Sequence, residues 1–207
     1  SEIDAAGAQA LAKGLKDNTT LKQIDMEWNK IGDEGTQALA EVLELNTTVT
    51  QIALGSNRIS VLGAQAFAEM LKVNQTVMHI ELGHKCIRNA GVQAKKQIED
   101  YLERNQTNAR KLIEAAKKRD AATLKNLLAL GVSVNYQDEN GKTALDYAVE
   151  GGDLEIIYLL LNSPQLSNNQ STVALVNKLS NQNGNTLLHQ VVLLAENNPE
   201  IAHKLVE

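Results

Sequence analysis

The chain has 207 residues, of which 43% are hydrophobic and 22% are charged, and these values are typical of a globular protein. Its formal net charge is −5 and it has no basic cluster, which argues against nucleic acid as a partner. No apolar run approaches the roughly 18 residues of a membrane-spanning helix, so we expect no membrane insertion. The single cysteine excludes an internal disulfide and favours a reducing compartment, which predicts a cytoplasmic location.

A fixed spacing of 28 residues dominates the first half of the chain. Isoleucine and glycine both recur at this step, in the sets Ile3, Ile31, Ile59, Ile87 and Gly7, Gly35, Gly63, Gly91. A period of this length indicates stacked structural repeats, each of which buries its apolar face against its neighbours. Such stacks present extended surfaces, so the pattern favours a binding protein over an enzyme with an active-site cleft.

Each repeat has the pattern of a helix, a polar turn and a short strand. Leu39 and Leu43 recur at helical spacing, and Asn46 stands where that helix should end. Ile52 and Leu54 then alternate as strand residues do. Over residues 1–107 this pattern resembles the leucine-rich repeat, in the ribonuclease-inhibitor-like subtype that has a full helix in each repeat. The resemblance implies strands that line an inner, concave face.

Two departures from the repeat pattern mark the end of this stack. Lys85 stands where the earlier repeats place Asn57, which we expect to hydrogen-bond backbone groups in the turn after the strand. The spacing from Asn74 to Asn105 is 31 residues, so the last helix gains three residues. A stack of repeats needs a polar outer surface at its end, and these changes fit that position.

The periodicity changes after residue 108. Gly141 precedes Thr143, and a helix, the glycine Gly152 and a second helix ending in a leucine pair follow. This order is similar to the ankyrin repeat, in which Gly141 would adopt positive φ and Thr143 would cap the helix. A further copy begins at Gly184, 43 residues after Gly141, against a usual ankyrin period of about 33. We therefore predict an insertion near residues 162–180.

The predicted fold class is α+β: a leucine-rich-repeat solenoid over residues 1–107, followed by an all-α ankyrin-repeat solenoid over residues 108–207. We expect helices over 92–104 and 109–118. Because only a few residues join them, we predict that they pack together and give one continuous superhelix. The chain begins at a helix without a preceding strand and ends inside a repeat, so we expect a fragment of a longer protein.

No pattern in the sequence indicates catalysis, a cofactor or a metal ion. The only close histidine and cysteine are His84 and Cys86, and two ligands do not make a metal site. No phosphate-binding glycine loop and no zinc-protease motif occurs. We therefore expect a chain that is not an enzyme.

The candidate binding residues of the first half lie on the outward positions of the predicted strands and just after them. They are Gln23, Asp25, Glu27, Trp28, Gln51, Ser56, His79, Glu81 and His84. Trp28, the only tryptophan, stands beside two acids, which is typical of an interface anchor. The alternative is that Trp28 packs over the edge of its own repeat.

In the second half, the resemblance to ankyrin repeats implies that the finger turns and the inner helices make the contacts. The candidate residues that it nominates are Tyr136, Asp138, Asn140, Lys142, Asp146, Tyr147 and Asn185.

The combination of both repeat types resembles effector proteins of intracellular bacteria. It implies a monomeric, non-enzymatic scaffold that docks on a host cytosolic protein, and the host cytosol as its location. Residues 67–74 also resemble the repeat of tropomodulin-type actin-capping proteins, so an actin regulator is an alternative. A third hypothesis is a regulator that binds a basic protein or enzyme through the acidic concave face.

Overall fold

The computed structural model describes residues 2–83, 91–163 and 165. The chain divides into two compact units, Ser1–Thr107 and Asn108–Glu207. In the first unit, helices and strands alternate in the order α1 (Ala5–Leu15), β1 (Gln23–Asp25), α2 (Gly32–Leu43), β2 (Gln51–Ala53), α3 (Val61–Val73) and β3 (His79–Glu81). Helix α4 (Gly91–Lys118) begins in the first unit and ends in the second. The second unit continues with α5 (Ala121–Ala129), α6 (Ala144–Gly151) and α7 (Leu154–Leu161).

The three strands form a parallel sheet in the order β1-β2-β3. Its register pairs Gln23 with Gln51 and Gln51 with His79, so each residue lies beside the residue 28 positions later. Neighbouring strands therefore pair residues that are one sequence repeat apart. Ile24 and Ile52 form the buried central row, and the residues on either side of them point away from the core.

The core of the first unit lies between the sheet and the row of helices. Leu39 of α2 and Phe67 of α3, the only phenylalanine of the chain, are fully enclosed there. The repeated glycine in the first turn of α2 and of α3 is required by close packing. A Cβ added to Gly35 would lie 2.6 Å from Cγ2 of Ile31, and one added to Gly63 would lie 2.6 Å from the same atom of Ile59.

Asparagine side chains that lie just after the helices bond to the preceding repeat, and we call this series of hydrogen bonds the asparagine ladder. Asn46 donates its Nδ2 protons to the carbonyls of Leu15 at 3.3 Å and Asn18 at 3.1 Å. One repeat later, Asn74 donates to the carbonyls of Leu43 at 2.7 Å and Asn46 at 3.0 Å. The Oδ1 of each asparagine accepts the two backbone N–H groups that begin the next turn. Buried carbonyls at the helix ends are thereby satisfied without water.

The predicted break between a helix over 92–104 and one over 109–118 is wrong, because α4 runs through it without interruption. Asn105 occupies the position in the repeat that Asn46 and Asn74 occupy just after the ends of the earlier helices. In α4 its side chain has different partners. It donates to the carbonyls of Asn74 at 3.0 Å and Val77 at 2.7 Å while its backbone stays helical. The carbonyl of Leu71, next in the series Leu15 and Leu43, accepts instead from Nη2 of Arg104 at 2.7 Å. No glycine or proline interrupts α4 after Gly91, so every residue through this region is compatible with a helix.

The helix ends of the second unit confirm the predicted turn chemistry. Thr143 caps α6 through a reciprocal pair of bonds with Asp146, and Gly152 ends α6 with φ +65°. Gly141 has φ +71° in the finger turn. Gln165 is buried against the turn before the finger, where it donates to the carbonyls of Gly131 and Val132.

Some predictions concern residues that lie outside the described part of the chain. These are the second ankyrin copy from Gly184 onward, Lys85, Cys86 and most of the insertion near 162–180. A single continuous superhelix stays a prediction.

We expect Asn74→Ala to lower the free energy of unfolding by about 3 kcal/mol, because it leaves two buried carbonyls and two N–H groups without partners. The measurement is urea unfolding followed by circular dichroism. Asn18→Ala is the matched control at the equivalent position two repeats earlier, since the side chain of Asn18 accepts only exposed N–H groups. Its expected cost is about 1 kcal/mol. Equal losses for the two variants would contradict a stabilising role of the ladder.

Candidate functional site

The outward side chains of the three strands form one surface, which we call the strand face. It contains Gln23 and Asp25 of β1, Gln51 and Ala53 of β2, and His79 and Glu81 of β3. All of these are exposed except Ala53, which is partly buried. The register places Asp25, Ala53 and Glu81 in one row, so a small residue separates two carboxylates.

A groove with a volume of about 740 Å³ lies just after the strands, and we call it the trough. Its described lining consists of residues 27–28, 55–59 and 81–83. Residues of β1's repeat and of β3's repeat therefore flank a middle segment from the repeat of β2. Four of the predicted site residues lie in this lining: Glu27, Trp28, Ser56 and Glu81.

Trp28 projects into solvent from the rim of the trough. Its side chain is 78% exposed, which does not match the alternative that it packs over the edge of its repeat. Its backbone has φ +57°, and Ser56 in the next repeat has φ +60°. A bulky residue in this left-handed region is unusual and costs of order 1 kcal/mol. The turn is fixed by the N–H of Trp28, which donates to the carbonyl of Gly55 at 2.9 Å.

The floor of the trough is made of small residues. The side chain of Glu27 lies across Gly55, since a Cβ added there would be 2.7 Å from its Oε1. Gly83 approaches the backbone of the neighbouring repeat, where its Cβ would lie 3.1 Å from the nitrogen of Ser56. Larger side chains at either glycine would fill the groove or push the repeats apart.

Four of the predicted finger residues, Asp138, Asn140, Lys142 and Tyr147, bond to one another. Asp138 accepts the N–H groups of Asn140 at 2.9 Å and Lys142 at 3.1 Å through Oδ1. Its Oδ2 accepts the hydroxyl of Tyr147 at 2.7 Å. Nζ of Lys117 lies 4.4 Å from the centre of the Tyr147 ring and 3.7 Å from Oδ2 of Asp138. These contacts give the finger turn a fixed geometry.

The hydroxyl of Tyr147 is the main reason why the pKa of Asp138 lies low, at about 2, with burial opposing and the N–H groups of Lys142 and Asn140 adding to the effect. Lys142 contacts the face of the same ring at 5.3 Å and pairs with Glu150 at 2.8 Å, and its pKa is raised mainly by that carboxylate. The ammonium groups of two lysines therefore lie close to the ring of Tyr147.

The remaining predicted site residues have different surroundings. Tyr136 is partly buried and Asn140 is exposed, whereas Asp146 is nearly buried in the capping box of α6. His84 and Asn185 lie outside the described residues. Sequence reasoning missed Arg58 in the trough and Lys117 beside the finger. For Arg58 a signal was available, since it lies within the same turn as Ser56.

Within the described ranges, no group of three or more histidine, cysteine, aspartate or glutamate side chains is placed to hold a metal ion. Among the helices that the structure describes, none is both long enough and apolar enough to cross a membrane.

A parallel row of strand–helix units followed by helix pairs with a finger turn defines a solenoid repeat protein. Family comparison matches the leucine-rich repeat at residues 17–40 and 45–68, and a family model described as ankyrin repeats (3 copies) at residues 104–207. The chain therefore belongs to the ankyrin-repeat family, with leucine-rich repeats ahead of its ankyrin repeats. A comparison with curated proteins finds no match. Both kinds of repeat are typically non-enzymatic modules for protein–protein interaction, and they indicate protein partners.

We expect Tyr147→Phe to raise the pKa of Asp138 toward its ordinary value, because the strongest hydrogen bond to the carboxylate is lost. In the native chain this carboxylate stabilises the fold above about pH 4, and the contribution is lost as the pH falls toward about 2. Carboxyl carbon NMR across this range measures the pKa directly. Tyr136→Phe is the control, since its hydroxyl does not bond to Asp138. A pKa unchanged by Tyr147→Phe would contradict the assigned cause.

We expect Trp28→Asn to leave the free energy of unfolding unchanged or to raise it by up to about 1 kcal/mol. Asparagine tolerates the left-handed backbone, and little packing is lost because the indole is exposed. Ser56→Asn, at the same φ one repeat later, is the control for the backbone term. A loss of more than about 1 kcal/mol on urea unfolding would assign Trp28 a structural role instead.

Proposed function

We propose that this chain is a non-enzymatic protein-interaction scaffold that binds its partner through the strand face and the trough. The observation that carries the proposal is Trp28, the only tryptophan, held 78% exposed in a left-handed conformation at the rim of a groove. Exposing a large aromatic side chain on a costly backbone conformation gives the isolated fold no advantage. Tryptophan is, in contrast, among the residues that contribute most to protein interfaces.

The surroundings of Trp28 support an interface of moderate size. The strand face presents five exposed polar side chains in two neighbouring rows, and the trough follows at its edge. Such a surface offers an aromatic anchor with a polar rim, which is the usual organisation of a specific interface. The finger of the second unit is already held by its own contacts, and Asn140 is the predicted finger residue left most exposed.

The partner that we propose is a host cytosolic protein, with the chain acting as part of a bacterial effector. The support is the combination of leucine-rich and ankyrin repeats in one chain. We propose that the chain acts as a monomer in the cytosol of the host. Actin is the alternative partner, and the two are separated by a pointed-end elongation assay with purified actin, which only an actin regulator would slow.

The experiment is affinity capture from eukaryotic cytosol with the native chain and with the double variant Asp25→Lys, Trp28→Ala. We expect a partner that is retained by the native chain and lost from the variant, because both changes fall on the proposed surface. The control is Glu44→Lys, Leu45→Ala, which makes the same kind of change at exposed positions after α2, where Leu45 is 85% exposed. Equal capture by the native chain and the Asp25→Lys, Trp28→Ala variant would contradict a site on the strand face.

A further inference from the structure

The trough has acidic walls and a floor of small residues. Glu27 and Trp28 flank it on the side of β1, Glu81 flanks it on the side of β3, and Gly55 and Ser56 lie between them. Neighbouring strands are about 4.8 Å apart, so the two walls are separated by about 10 Å. That width admits one extended segment or one long side chain but not an α-helix, whose diameter with side chains is about 10–12 Å.

The charge of the trough selects a cationic occupant. Neither Glu27 nor Glu81 has an ion-pair partner among the residues that the structure describes, and the same holds for Asp25 on the adjoining strand face. Arg58 is the only cation in the described lining. The carboxylate of Glu27 lies over the glycine floor rather than out in solvent, so its charge acts inside the groove. Phosphate groups and acidic segments would be repelled here.

We propose that the trough binds an arginine side chain carried by an extended basic segment of the partner protein. This inference rests on the proposed function and specifies the chemistry of the same site. A guanidinium group is planar and carries donors in a fixed fork, so it can stack on the indole of Trp28 while it donates to Glu27 and Glu81. A lysine ammonium group can satisfy the charge and make a cation–π contact, but it is a compact point charge without the planar fork that reaches two separated carboxylates while it stacks on a ring.

The arrangement along the chain supports an extended segment around that arginine. Asp25 and Glu81 lie at the two ends of one row of the strand face, with Ala53 between them. The row continues the acidic character of the trough onto the neighbouring surface. A basic segment crossing the strands would place further positive charges beside these carboxylates, which favours fast association that weakens with salt.

The test uses the fluorescence of Trp28, which reports on the trough alone because the chain has no other tryptophan. The full chain is titrated with three matched extended peptides that carry one central arginine, lysine or citrulline between identical lysine-containing flanks. We expect saturable quenching or a shift in emission, with the arginine peptide binding about tenfold more tightly than the lysine peptide. Citrulline keeps the shape of arginine without its charge, so that peptide should bind most weakly. Affinity should fall as the salt is raised from about 0.05 to about 0.5 M.

Glu81→Gln and Glu27→Gln should each weaken the arginine peptide by about five- to tenfold. Glu44→Gln removes one exposed carboxylate after α2, outside the trough, and should change the affinity less than twofold if general charge is unimportant. Equal binding of the arginine and citrulline peptides, or no effect of Glu81→Gln, would overturn the inference. No response to any peptide, combined with capture that depends on Trp28, would overturn it and leave the proposed function standing. Arginine-selective binding with capture that ignores Trp28 would instead contradict the proposed function.

Discussion

The carbonyl groups near the ends of the repeat helices lie inside the stack, where water does not reach them, and side-chain N–H groups of asparagine and arginine satisfy them. Leu15 and Leu43 end α1 and α2, Leu71 lies two residues before the end of α3, and all three are buried. A buried carbonyl without a donor costs about 1–3 kcal/mol, so each repeat must supply a donor to the one before it. Asn46 and Asn74 do so from positions 31 residues after Leu15 and Leu43, and Arg104 does so from 33 residues after Leu71.

This constraint also fixes the alignment of the strands and of the turns that follow them. Because each amide bonds to one defined pair of carbonyls, a repeat cannot slide relative to its neighbour without losing both bonds. The strands therefore meet in the register that pairs Ile24 with Ile52, and the turns after them align as well. A second asparagine bridges those turns, since Asn57 donates to the carbonyl of Met26 at 2.7 Å and to that of Leu54 at 3.0 Å. The trough and its rim depend on this alignment.

Much of the fold could be predicted from the sequence, because a few residue types recur at one fixed spacing and reveal the repeat. The strand rows, the helix caps and the glycine positions all follow from residues that recur at one step or from side chains that act locally, as Thr143 does. The continuity of α4 could not be predicted in this way. Asn105 has the same residue type as Asn46 and Asn74, and only its contacts with the preceding repeat reveal that it bonds from within a helix.

The sequence by itself determined the two repeat types, their order and the columns that contain Asp25, Trp28 and Glu81, because periodic spacing and short-range turn chemistry are local properties. The tertiary structure decided which of those side chains are available. It left Trp28 exposed, laid Glu27 across Gly55 and used Asp138 to hold a tyrosine and two N–H groups. The physical reason is that exposure, groove shape and the partners of a charged group depend on neighbours from other repeats and elements. Sequence spacing brings such neighbours into the same column but does not state which way their side chains turn.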